Sequence, residues 1–273
     1  KLRVLSIRGT QVTDDGVKHL VVLPNLAWLD LGSTQVSDAG LEYVAVLPNL
    51  DSLDLRNTQV TDAGLEHLQG LTNLRWLLHL SGTRVTDDGL KYLKGLTNLQ
   101  TLELARTQIS DVGLEHLVGL TNLRRLVLSG THVTDSGLEH LKGLTELRTL
   151  ELAATQVSDD GLVHLKELTS LEQLNFDGTQ VTDAEAKKLQ VSLTQRRALR
   201  DAIAAIEKYK VFVRQNRKDG SLSIQLPAEI TDAGILHLKE LMKSWHLQVR
   251  ARQVTDADLY RLKELTNLDQ FNL

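Results

Sequence analysis

Cysteine is absent from this 273-residue chain, so disulfides, thiolate zinc sites and cysteine nucleophiles are excluded. That absence does not fix the compartment, although it favours the cytoplasm over the periplasm. No apolar run approaches the ~18 residues that a membrane span needs, and no signal peptide is visible. There is no glycine-rich phosphate loop, no G-x-S-x-G and no H-E-x-x-H. Neither a cofactor nor a metal is therefore expected, and the reading is of a non-enzymatic protein. Aromatics are only 4% while hydrophobic residues reach 41%, which suits a large core built from aliphatic side chains.

What is present is a repeat. The stretch from Leu50 to Asn73, LDSLDLRNTQVTDAGLEHLQGLTN, recurs along the chain. Its threonine falls at Thr10, Thr34, Thr58, Thr83, Thr107, Thr131, Thr155 and Thr179, in steps of 24 residues with one step of 25. Leu53-Asp54-Leu55 alternates as a short strand does. Leu65, Leu68 and Leu71 follow a helical spacing. Between them, a Thr or Ser before Asp opens the helix, with the carboxylate near the positive end of its dipole. A unit this short buries its apolar faces only by stacking on copies of itself, with strands side by side in parallel and helices behind.

The pattern L-x-x-L-x-L-x-x-T-x-V-T-D-x-G-L-x-x-L resembles the leucine-rich repeat family, with Thr where Asn or Cys usually stands. The V-T-D-x-G-L core is similar to a subclass of long bacterial arrays, notably in planctomycetes, and to the cysteine-containing repeats of F-box adaptors. The resemblance covers residues 1–190 well and 221–273 loosely. It implies an α/β horseshoe solenoid with parallel strands on the concave face and helices on the convex face. It also implies a concave face that binds partners.

Residues 1–190 hold eight units. The longer step arises at Arg75-Trp76-Leu77-Leu78-His79-Leu80, where an extra residue predicts a β-bulge. From Ala184 to Tyr209 there is no glycine or proline, which predicts a long helix or a helix pair. Two alternating runs around Asp219-Gly220 read as a hairpin, and the repeat phrase resumes at Ile230 and Val254. The expected organisation is an array at 1–190, a basic helix-and-hairpin junction at 191–220, and the start of a second array at 221–273. Because the chain begins and ends within repeats, a piece of a longer protein is expected.

Regular repeats turn strand positions into columns. One column reads Ser6, Asp30, Asp54, His79, Glu103, Val127, Glu151, Asn175; its neighbour reads Val4, Trp28, Ser52, Trp76, Thr101, Arg125, Thr149, Gln173. Such variety predicts a solvent-facing recognition surface. Asp30 beside Asp54 is a like-charge pair that needs a cation, a basic partner or a proton to offset it, unless both are simply solvated. Exposed tryptophans are common binding hot spots. The candidate partner site is therefore Trp28, Asp30, Asp54, Arg56, Trp76, His79, Glu103 and Arg125.

His19, His67, His116, His140, His164 and His237 share one helical position. Neighbouring helices stand about 8–10 Å apart, too far for one ion, so these residues read as packing and solvent-edge positions. The Asp column from Asp14 to Asp183 reads as helix starts rather than calcium ligands. The Thr column is expected to turn inward, its hydroxyls bonding the backbone of a neighbouring turn. From Lys187 to Lys218 the net charge is +8, leaving −12 for the remainder. A sequence pI near 6.2 argues against nucleic acid as the main partner. The reading is a module that binds a protein or peptide on its concave face; the alternatives are self-association of arrays, or a targeting role in a larger enzyme.

Overall fold

The computed structural model describes residues 1–207 and, beyond them, the strands Phe212–Gln215, Leu222–Leu226, Leu247–Ala251 and Gln270–Asn272. The chain divides into two compact units, Lys1–Leu193 and Thr194–Leu273.

Each 24-residue copy in the first unit contributes one three-residue strand. In chain order these are β1 (Val4–Ser6), β2 (Trp28–Asp30), β3 (Ser52–Asp54), β4 (Leu77–His79), β5 (Thr101–Glu103), β6 (Arg125–Val127), β7 (Thr149–Glu151) and β8 (Gln173–Asn175). They form a parallel sheet in sequence order. Leucine drives this arrangement: in the third copy Leu50, Leu53, Leu55, Val60, Leu65 and Leu68 are fully buried. Equivalent leucines of successive copies join one continuous core. The convex segments are shorter than the helical spacing implies. They run from seven residues, as in Asp62–Leu68, down to a 3₁₀ segment at Gly137–Leu141. A single turn between two loops leaves little room for an α-helix, and 3₁₀ geometry is common in such short pieces.

The aspartates do more than start helices. Asp62 Oδ1 accepts from the Thr86 amide at 2.8 Å, and its Oδ2 accepts from the Thr86 hydroxyl at 2.6 Å. Asp38 does the same to Thr61, and Asp111 to Thr134. Each carboxylate therefore grips the following copy. The Ser or Thr before it gives its proton to the preceding copy, and its oxygen caps its own helix only in some units: Thr61 and Ser158 accept from the amide two residues on, whereas Ser37, Thr86 and Ser110 make no side-chain cap. The same contact explains the glycine two residues after Asp, since a Cβ on Gly64 would lie 2.5 Å from Asp38 Oδ1.

The threonine column does turn inward, but its hydroxyls stay within their own turn. Thr58 Oγ1 donates to the Leu55 carbonyl at 2.6 Å, and the pattern recurs from Thr10 to Thr179. The residue before each Thr has positive φ, filled by Gly9, Gly82, Gly130 and Gly178 but also by Ser33, Asn57, Arg106 and Ala154. The loops after the convex segments are tied by asparagines: Asn49 donates to Pro24 O at 2.7 Å and Asn73 to Pro48 O at 2.9 Å.

A single helix, Asp183–Glu207, follows the array, and its Leu189 and Leu193 join the core. The second unit contains β9 (Phe212–Gln215), β10 (Leu222–Leu226), β11 (Leu247–Ala251) and β12 (Gln270–Asn272). β9 and β10 pair antiparallel, whereas β10, β11 and β12 pair parallel. Arg217–Gly220, the resumed phrases at Ile230 and Val254, and His237 lie outside the described residues. No helix among the described residues is long and apolar enough to cross a membrane.

Three substitutions test this account by urea denaturation. Asp62→Ala strands the paired donors of Thr86 and should cost about 2–3 kcal/mol, while Asp88→Ala on the exposed surface should stay within about 0.5 kcal/mol. Ala154→Gly relieves a left-handed conformation at φ 54°. Offsetting glycine's entropy against that relief, it should raise stability by about 0.5 kcal/mol.

Candidate functional site

The concave face is built on the strand registers Ser6–Asp30–Asp54–His79–Glu103–Val127–Glu151–Asn175. The column has the expected composition, but its middle is not solvent-facing. Asp30, Asp54 and His79 are buried, with Asp54 only 1% exposed. The reason is that neighbouring side chains close over them.

Asp54 is held by Arg56 on the same chain turn. Arg56 Nε donates to Asp54 Oδ2 at 2.8 Å and to Oδ1 at 3.0 Å, and its Nη2 also bonds Oδ2. The Arg56 amide adds a further bond at 3.0 Å. This bidentate pairing holds the guanidinium above its ordinary pKa. Gly32 makes room for it: a Cβ there would stand 3.0 Å from Arg56 Cγ and 3.0 Å from Asp30 Oδ1. Asp30 in turn accepts from the Ser6 hydroxyl and the Gly32 amide, each at 2.9 Å. The like-charge pair is thus offset internally, by Arg56 on one carboxylate and neutral donors on the other.

His79 continues the chain of contacts. Its Nε2 lies 3.2 Å from Glu103 Oε2, and its Nδ1 lies 3.6 Å from Asp54 Oδ2. Burial lowers its pKa below the ordinary value and outweighs the opposing pull of Glu103 and Asp54. A neutral imidazole has one N–H, and the shorter distance assigns it to Nε2, on the side of Glu103, which leaves the Nδ1 lone pair on the side of Asp54. Arg125 then bridges Glu103 Oε1 at 3.3 Å and Glu151 Oε1 at 3.0 Å. His79, Glu103, Arg125 and Glu151 form a run of contacts across four strands, and the Asp54–Arg56 pair lies beside its first member. Glu151 belongs to this run although sequence reasoning had not singled it out; its place in the column was the available signal.

The tryptophans behave differently. Trp28 on β2 is half-buried, whereas Trp76 is 48% exposed, and β3 lies between their strands. The extra residue does produce a bulge. Trp76 N donates to Asp51 O at 3.0 Å, as Ser52 N does to Ala27 O at 3.0 Å, yet it is Leu77 that pairs with Ser52. Trp76 and Leu77 therefore both stand opposite one residue of β3, and Trp76 is displaced from the column that spacing alone assigned to it. Arg75 lies over its ring, 4.6 Å from the centroid.

The described helix-face histidines, His19 to His164, are at most half-buried, and His67 lies 3.9 Å from Glu42 and His140 4.0 Å from Glu115. Among the described residues no group of three His, Asp or Glu is placed to hold a metal ion.

Residues 77–133 match a family model described as leucine rich repeat, and residues 1–21 and 46–68 match a second of the same description. The crystal structure of internalin C2 from Listeria monocytogenes str. 4b F2365 is 30% identical, with 68% of this chain and 76% of that chain covered and a TM-score of 0.54. The chain belongs to the leucine-rich repeat family. Internalin inlF from the same strain is 20% identical over 99% of this chain and 81% of that one, with a TM-score of 0.42. The comparison with curated proteins gave no match. As a leucine-rich repeat array, the protein presents its parallel sheet and the polar groups from Asp54 to Glu151 on one face, with Trp76 standing out beside them.

The histidine supplies a test. Its folded-state pKa lies below the unfolded value of about 6.5. The corresponding stability is present above that pH and is lost as pH falls from it towards the folded value. An NMR titration of the His79 imidazole should give a midpoint below ~6.5. His79→Gln should flatten the acid limb of the stability profile, measured by urea midpoints at successive pH values.

Proposed function

We propose that the array is a non-enzymatic interaction module that binds a protein or peptide on its concave strand face, with Trp76 as the chief anchor. Leucine-rich-repeat arrays serve as protein-interaction modules, which supports the coarse reading. The observation that carries the finer one is the bulge. It lifts a tryptophan to 48% exposure beside a column whose charged groups are already paired. Large apolar surface offered to solvent next to a pre-organised polar floor is the usual make-up of a hot spot. The partner-site assignment then divides by role. Asp30, Asp54, Arg56, His79, Glu103 and Arg125 hold the floor in shape, while Trp76, with Trp28 flanking, supplies contact area.

The division into an array at 1–190, a junction at 191–220 and a second array from 221 is retained as part of this proposal. The antiparallel β9–β10 pair followed by parallel β10, β11 and β12 supports it. The bacterial V-T-D-x-G-L subclass is likewise proposed, supported by the recurring bond from each Asp to the next Ser or Thr. Self-association of arrays is the competing reading, and nothing specific in the first unit favours it over a separate partner.

Affinity capture from a lysate tests the proposal, with wild type and Trp76→Ala run side by side. A partner held by wild type should be lost or weakened by roughly 30-fold, equivalent to about 2 kcal/mol for removing a hot-spot aromatic. Equal retention by both proteins would remove Trp76 from the site.

A further inference from the structure

Beside strands β3 to β7 stand two groups of arginines. Arg56 and Arg125 are locked to carboxylates. Arg75, Arg124 and Arg148 are exposed, and among the described residues none of them has a carboxylate partner. These three follow the first leucine of their copies and occupy one backbone column at the strand-start edge. The Gln100 amide donates to Arg75 O at 2.7 Å, the Arg124 amide to Gln100 O at 2.7 Å, and the Arg148 amide to Arg124 O at 2.8 Å. Asp51 precedes Arg75 in the column and Glu172 follows Arg148, so the basic strip has defined ends.

Building on the concave-face reading above, we propose that this edge, from β4 to β7, binds an extended acidic peptide segment. An apolar residue of the peptide seats on Trp76 and Leu77, and carboxylates further along face Arg124 and Arg148. Three strand spacings of about 4.8 Å give a strip of roughly 14 Å, which an extended chain crosses in about four or five residues. Arg75 lies over the indole, so its charge remains beside the apolar seat and can meet a carboxylate next to the seated residue. Arg125 bridges the neighbouring Glu103 and Glu151 and offsets one of their two charges, so together with Arg75, Arg124 and Arg148 this edge still carries net positive charge. Charge complementarity also sets direction: Trp76 at one end and Arg148 at the other distinguish the two orientations of the peptide.

The test is selection from a displayed library of random decapeptides on the intact chain. Enriched clones are then measured by fluorescence anisotropy against wild type, Trp76→Ala and Arg124→Gln/Arg148→Gln. All three proteins are first matched for thermal unfolding, as these exposed positions permit. The expected winners carry two or more Asp or Glu at alternating positions beside an apolar residue. Their affinity should fall by roughly tenfold in the double arginine variant and weaken with added salt. Enrichment of neutral or basic peptides that ignore the arginine variant but are lost with Trp76→Ala would overturn the acidic-peptide assignment and leave the concave-face reading standing. Peptides bound equally by all three proteins, or no enrichment at all, would overturn both.

Discussion

A single hydrogen-bonded contact repeated along the chain holds the array in register: the carboxylate of each helix-start aspartate reaching into the next copy. It satisfies a backbone amide and a hydroxyl that belong to a different repeat, as Asp62 does for Thr86. In a solenoid each unit meets only its neighbours, so stability is roughly a sum over units and interfaces. A bond that crosses every interface therefore sets how rigidly one strand is placed beside the next. The glycine that follows is imposed by the same carboxylate, and the leucine core fills the space behind.

That rigidity is what lets the concave face carry charges at close quarters. Asp54 is nearly inaccessible and would be costly to bury alone. Arg56 folds back onto it over Gly32, and the His79 ring stands between it and Glu103. Arg125 extends the arrangement to Glu151. The outcome is a polar floor whose groups already have partners, so binding need not spend free energy rearranging them. The bulge at β4 departs from this regularity. It interrupts the columns at one point, and there an aromatic ring is displayed rather than packed.

The fold was legible because period and type of residue agree in every copy. Leu53 and Leu55 announce a strand, Leu65 and Leu68 a turn of helix, and eight threonines count the units. The site was legible only in part. The columns placed Asp30, Asp54, His79 and Glu103 correctly beside one another, yet composition alone made them look solvated. Burial came from Arg56, two residues along the chain, and from the absence of a side chain at Gly32; neither follows from strand periodicity. The extra residue announced a bulge but not which residue would be pushed out, so Trp76 was assigned a column that Leu77 occupies. Both bonds of each aspartate were missed for the same reason: their partner lies in another copy, about 24 residues away.

Native-state hydrogen exchange at the amides of Ser37, Thr61, Thr86, Ser110, Thr134 and Ser158 addresses the interlock directly. Each of these amides donates to the aspartate of the preceding copy. The expected result is protection comparable to the strand amides of the same copies, in loops that would otherwise exchange freely. Exchange at the rate of exposed loop amides, with the strands still protected, would show that the copies are held together by leucine packing alone.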